Sequence, residues 1–182
     1  MKDLSEIIDG CSRQERQSQQ LFYDHYLGLC ISTALRYVRS FDKAKDVTQH
    51  AFLNMFRNLD RFEVIDKTHL EQLVCRWIKR IVTNCSIDYL RKEKCRCRSF
   101  VVAELTKDYA DANRSPDEKL LHLELVALVK RLPPAYQKVF NLYVIEGYSH
   151  HDIAKMLKIT RNTSKSNLSK ARTHLQKILK QI

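Results

Sequence analysis

Apolar residues recur at three- and four-residue steps along most of the chain, and no alternating apolar–polar run lasts beyond a few residues. From Arg16 to about Arg39 the positions Leu21, Phe22, Tyr26, Leu29, Cys30, Thr33, Ala34 and Tyr37 share one side, which predicts a helix with these residues inward. Asp42 precedes a second predicted helix, Lys43 to Leu59, with Val47, Ala51, Phe52, Met55, Phe56 and Leu59 on one face. Residues 60–69 lack the period and read as a loop. A third helix, from Leu70 to Lys92, turns Leu70, Leu73, Val74, Trp77, Ile78, Ile81, Cys85 and Tyr89 inward. It leaves Arg76, Lys79, Arg80 and Arg91 on or beside the opposite face.

The pattern weakens between Val101 and Pro116 and resumes at Ser115-Pro116-Asp117-Glu118, a capping side chain, a first-turn proline and two acids at the positive end of the helix dipole. The helix predicted from Asp117 to Leu132 is broken by Pro133-Pro134. Another follows over Ala135 to Ile145, presenting Val139, Phe140, Leu142, Tyr143 and Ile145 and closing at Glu146-Gly147. Ser149 with Asp152 reads as a capping box ahead of a short helix, His150 to Leu157. After a turn at Lys158-Ile159, Thr160 caps a longer helix from Arg161 to about Lys180, with Leu168, Ala171, Leu175, Ile178 and Leu179 as its stripe. A short helix, a tight turn and a longer basic helix are the parts of a helix-turn-helix. The plain alternative is a helical hairpin, and the basic residues on the second helix favour DNA over it. The fold class expected is all-α: two small helical domains, 1–98 and 117–182, joined by a flexible linker at 99–116.

Charge sharpens this division. The chain of 182 residues carries 32 Lys and Arg against 21 Asp and Glu, a formal +11. Residues 76–98 hold +6 and residues 148–182 hold +7, whereas residues 99–118 hold −3. Two separate basic blocks on amphipathic helices point to a polyanion, and nucleic acid is the commonest one. Neither block has the wide apolar face with interfacial aromatics that a membrane surface requires. Three Gly and three Pro leave no Gly-rich loop to cradle a nucleotide phosphate. No apolar run is long enough to span a bilayer, and the first residues have no signal-peptide core, so the expected location is the cytoplasm.

Six cysteines invite a metal or disulfide reading. Without a signal sequence they read as reduced thiols, four of them core filler. Only Cys95 and Cys97 are close, in a basic setting and without a second pair of zinc-ligand spacing. The histidines His25, His50, His69, His122, His150, His151 and His174 show no ligand spacing either. No metal and no cofactor is expected.

Three stretches carry a family resemblance: KDVTQHAFLNMFRNLDRF at 45–62, WIKRIVTNCSIDYLRK at 77–92, and LPPAYQKVFNLYVIEGYSHHDIAKMLKITRNTSKSNLSKARTHLQKIL at 132–179. In order and spacing they resemble the extracytoplasmic-function (ECF) sigma factors, small two-domain members of the sigma-70 family of bacterial transcription initiation factors. The resemblance implies that the amino-terminal domain binds the clamp helices of the largest subunit of core RNA polymerase and opens promoter DNA at the minus-ten element. It implies that the carboxy-terminal domain reads the minus-thirty-five element and touches the polymerase flap. The family performs no catalysis of its own, and an anti-sigma protein commonly holds its members inactive.

Carried onto this chain, the resemblance places core-polymerase binding on Asp46, Gln49, His50, Leu53 and Arg57 of the second helix. It places minus-ten contacts on Phe62, Thr68, His69, Arg76, Lys79, Arg80, Asn84 and Arg91, where Phe62, Thr68 and His69 would line a pocket for a flipped base and the cations would track phosphates. Trp77 lies in the apolar register and reads as core. Minus-thirty-five base or phosphate contacts fall on Lys165, Ser166, Ser169 and Lys170, with Arg161, Asn162, Thr163 and Arg172 as backbone anchors. Three positions depart from the family pattern. His50 replaces the usual Glu, the stretch from Arg61 to Gln72 is several residues longer, and Lys158 stands where glycine is common. A stand-alone helix-turn-helix regulator would account for the last 60 or so residues but not for the matches at 45–92, and an enzyme built on the cysteines and histidines is a distant third.

Overall fold

The structure, a computed structural model, describes residues 3–38, 40–59, 62, 69–96 and 127–180. All regular elements among them are helical. The chain divides into two compact units, 1–109 and 110–182, and each is built around its own buried residues.

Unit 1 starts with a helix that the periodicity reading above does not contain, α1 (Leu4–Ser12). Its signal is local. Asp3 accepts from the Leu4 amide, and the Glu6 carboxylate accepts from the Asp3 amide at 3.1 Å, closing a reciprocal capping box. Ile8 and Cys11 then bury against the next helix. Leu4, Ile7, Ile8 and Cys11 also recur at three- and four-residue steps, so the box and a short period both mark α1 in the sequence.

The turn into α2 (Arg16–Leu35) is tight. Gln14 adopts a left-handed conformation (φ 61°), and the Glu15 amide donates to the Gly10 carbonyl at 2.9 Å. This brings Ser18 onto Gly10 so closely that a Cβ at position 10 would lie 2.1 Å from the Ser18 hydroxyl oxygen. Glycine is needed here for space.

Along α2, Ser18, Phe22, Tyr26, Cys30 and Ala34 form a continuous buried row one turn apart. The helix ends at Leu35, earlier than expected, and Tyr37 and Val38 bury as the chain turns. Leu21, expected inward, is instead 42% exposed. It sits one position off the buried row, and the row fills with Phe22 and Tyr26, whose larger faces bury more apolar area.

The third helix, α3 (Phe41–Asn58), starts after Ser40, with Asp42 inside its first turn. Ala44, Val47, Thr48, Ala51, Phe52 and Met55 pack inward, while Phe56 is half-buried with its ring 6.0 Å from that of Phe22. The fourth, α4 (Leu70–Arg96), outruns the expected end at Lys92. Leu70, Val74, Ile78, Val82 and Cys85 bury on the same core, with Trp77, Ile81 and Tyr89 half-buried around it. Two polar contacts tie α4 at its ends. The Tyr26 phenol donates to the Glu71 carboxylate at 3.1 Å, and Lys43 pairs with Glu93.

In unit 2 a helical turn at 127–130 leads through Leu132 to α5 (Pro134–Phe140). The helix expected to continue regularly to Ile145 widens instead into a π-helical turn over Asn141–Ile145. The extra residue in that turn keeps Leu142 buried but rotates Tyr143, Val144 and Ile145 outward, to 36%, 49% and 43% exposure. Next come α6 (His150–Leu157) and α7 (Arg161–Leu179). Ile153, Leu168 and Ala171 form the buried seam with Val139 and Leu142. Leu179, expected on the stripe, is 55% exposed at the helix end, one position past the last inward-leaning residue, Ile178. The expected linker and the start of the helix at 117 lie outside the described residues.

Gly10→Ala should destabilise unit 1 by about 1–3 kcal/mol, the usual range for overpacking, because the new methyl meets Ser18 and its backbone neighbours cannot withdraw. Denaturant unfolding checks this. The double variant with Ser18→Gly should recover most of the loss.

Candidate functional site

On α3 the buried face accounts for every third or fourth residue, and what remains forms a polar surface. Asp46, Gln49, His50 and Arg57 are all exposed, and Leu53 stands among them at 55% exposure. One exposed leucine thus stands among polar side chains on this face. His50 lies 3.3 Å by its Nδ1 from the Asn54 amide nitrogen, which also donates to the Cys85 sulfur at 3.4 Å. The residue that departs from the family pattern is thus linked through one side chain to α4. Burial pushes the Cys85 thiol up, and the Asn54 hydrogen bond opposes this only in part. Cys85 is therefore a protonated packing group.

On α4, Arg76, Arg80 and Asn84 are exposed at four-residue steps, with Lys79 half-buried beside them. Arg91 lies further along the helix and pairs with Asp88 at 2.7 Å. That pair neutralises one of the cations assigned to phosphate tracking. The Phe62 ring tilts on Trp77 with 5.1 Å between centroids, and both are half-buried against the core of unit 1. Trp77 packs at the edge of the core, and Phe62 lies against it on α4. His69 is exposed at the start of α4. Thr68 lies outside the described residues, as does the side-chain arrangement of Cys95 and Cys97.

The base of α4 is locked rather than reactive. Burial, and then the Glu71 charge, push the Tyr26 phenol well above the ordinary tyrosine value, so it remains a hydrogen-bond donor. Burial, and then the neighbouring Cys75, push Cys30 up to about 12. Cys30 is therefore a protonated packing group. Among the described residues no group of three or more His, Cys, Asp or Glu side chains is arranged to hold a metal.

In unit 2 the turn between α6 and α7 takes the form that its sequence demands. Lys158 ends α6 in the left-handed region (φ 54°, ψ 47°), the conformation that explains why glycine is common at such a turn. Thr160 accepts from the Thr163 amide at 3.0 Å and meets the Thr163 hydroxyl at 2.8 Å. Thr163, expected as a backbone anchor on DNA, has its hydroxyl engaged in the cap. Ser149 accepts from the Asp152 amide and donates its own proton to the Asp152 carboxylate at 2.6 Å, which holds that carboxyl below the usual range. From this frame α7 projects Arg161, Asn162, Lys165, Ser166, Ser169, Lys170 and Arg172 into solvent, while Ser164, Leu168 and Ala171 face inward.

Two positions escaped sequence reasoning. Ser164 is fully buried in the middle of the basic helix, and His150 reaches it, Nδ1 to Oγ, at 2.9 Å. The Tyr143 ring stacks on His150 at 4.4 Å and 22°. The period could not reveal this contact, because it depends on the π-turn that swings Tyr143 round.

The described residues thus present an exposed polar face with one leucine on α3, a basic face on α4, and a capped basic helix, α7, after a tight turn. Comparison with known proteins agrees. Residues 22–96 match the model for sigma-70 region 2, and residues 122–175 match that for sigma-70 region 4. The ECF RNA polymerase sigma factor SigM of Mycobacterium tuberculosis is 30% identical over 160 residues, covering 88% of this chain and 76% of that protein. SigW of Bacillus subtilis is 26% identical over 174 residues, covering 89% of this chain and 87% of SigW. The solved structure of the sigma factor RpoE with the anti-sigma factor NepR from Bartonella quintana shares the fold, with a TM-score of 0.53 at 21% identity, covering 89% of this chain and 98% of that one. The chain belongs to the ECF sigma factors of the sigma-70 family, which direct RNA polymerase to promoters and are not enzymes.

Lys158→Gly should stabilise unit 2 by about 1 kcal/mol. It removes the steric cost of a left-handed L-residue, less the extra chain entropy of glycine. Thermal unfolding of the variant beside the parent measures it.

Proposed function

We propose that this sigma factor divides its work between the faces described above. Asp46, Gln49, His50, Leu53 and Arg57 take the clamp helices of core RNA polymerase. The basic face of α4, with Arg76, Lys79 and Arg80 foremost, follows the phosphates of the opening minus-ten segment. Arg91 contributes less, since Asp88 already holds it. The first turns of α7 enter the major groove of the minus-thirty-five element. There Lys165, Ser166, Ser169 and Lys170 face base edges, and Arg161 and Arg172 face the backbone. The cytoplasm, where polymerase and promoters meet, is the place of action. Among the described residues no helix is long and apolar enough to cross a membrane. An anti-sigma partner fits the same reading, since covering the exposed row on α3 would block polymerase.

The observation that carries this reading is the separation of docking and basic faces on α3 and α4 around one core. A stand-alone helix-turn-helix regulator needs α7 but has no use for either face. The region 2 match over residues 22–96 also argues against that alternative.

Within α7, the two kinds of contact should come apart. Lys165→Ala should change the base preferred at one minus-thirty-five position in a promoter library. Arg172→Ala should lower output on all sequences alike and reduce the salt slope by about one unit. If both variants fold and leave motif and slope unchanged, α7 is not the reading helix.

A further inference from the structure

Asn54 joins the exposed row of α3 to the interior of unit 1. It is half-buried one turn after His50, and its backbone is held by Asn58, whose side-chain amide donates to the Asn54 carbonyl at 2.8 Å. The Asn54 side-chain nitrogen donates to Cys85 Sγ on α4 at 3.4 Å and stands 3.3 Å from Nδ1 of His50. An amide nitrogen carries two hydrogens and accepts nothing. With one hydrogen engaged by the buried sulfur, the other meets Nδ1, which is then the acceptor of the ring. The proton of the neutral imidazole therefore sits on Nε2. His50 is exposed, so a donor N–H of fixed identity is offered within a row that also holds Asp46, Gln49, Leu53 and Arg57.

We propose that Asn54 is a positioning residue of this row: braced on Cys85, it holds the His50 ring so that Nε2–H is presented to a side-chain oxygen on the clamp helices of core polymerase. The inference rests on the reading of the α3 row as the polymerase face. A helical partner has its backbone carbonyls committed to its own hydrogen bonds, so the acceptor is a side-chain oxygen. An imidazole held in advance also loses less rotational freedom when the partner docks.

The first test is a double-variant cycle on the binding of the full chain to core polymerase. Asn54→Leu keeps the size of the side chain and removes both donated hydrogens. In the parent it should weaken core binding about fivefold, the scale of one hydrogen bond. In a His50→Ala background it should weaken binding little further. Equal losses in the two backgrounds would mean that Asn54 only packs, and no loss in either would mean that it is not used; both results overturn the proposal.

A spectroscopic test does not depend on that variant folding. The ring nitrogen chemical shifts of His50, read by NMR in the labelled full chain at about pH 8, where an ordinary histidine is neutral, report which nitrogen carries the proton. Wild type should carry it on Nε2. Asn54→Asp, which replaces the donor by an acceptor of the same size, should move it to Nδ1. A wild-type ring protonated at Nδ1, or a proton that Asn54→Asp leaves in place, overturns the proposal. Asp46→Ala combined with Gln49→Ala separates the two levels. If that pair weakens core binding while the cycle is additive, only this inference fails; if it too is without effect, the assignment of the α3 row fails with it.

Discussion

The row Ser18, Phe22, Tyr26, Cys30 and Ala34 on α2 is the constraint on which unit 1 depends. Five residues one turn apart, none more than 2% exposed, give α3 and α4 one surface on which to bury their own apolar stripes. A helix that buries one stripe against a neighbour leaves its other face to solvent. The exposed row on α3 and the cations on α4 are therefore placed by the packing of the residues between them. Val47, Ala51 and Met55 fix which way Asp46, Gln49 and Leu53 point, and Val74, Ile78 and Val82 do the same for Arg76 and Arg80. The Tyr26–Glu71 hydrogen bond then holds α4 at its start.

Among the described residues, unit 2 buries fewer apolar side chains and relies more on local chemistry. Its seam is short, and the caps at Ser149 and Thr160 together with the left-handed Lys158 set the angle between α6 and α7. The buried Ser164 adds a polar constraint from inside. It requires a partner, and His150 supplies it, so α7 is tied to the helix before it by a side chain.

Much of this was legible in the sequence. The inward faces of α3, α4 and α7 follow from a 3.6-residue period, and the turn at Lys158 and the Thr160 cap follow from residue chemistry. The misses have separate physical causes. The α1 helix was legible both in its capping box and in the short period of Leu4, Ile7, Ile8 and Cys11. Leu21 and Leu179 lie one position off their stripes, where periodicity does not decide between flank and core. The π-turn at Asn141–Ile145 has no composition of its own, so neither the outward turn of Tyr143 nor its stacking on His150 could be read in advance. The candidate site residues stood out to the degree that they are cations or polar groups on an otherwise apolar repeat; the His150–Ser164 contact did not.

The central claim is that promoter specificity is shared between this chain and core polymerase. Binding to a randomised promoter library should be measured for the chain alone and for the chain with core enzyme. The account predicts that a two-part motif, with minus-thirty-five and minus-ten elements at a fixed spacing, is enriched only when core polymerase is present. Enrichment of a single duplex motif by the chain alone, with no change on adding polymerase, would contradict it.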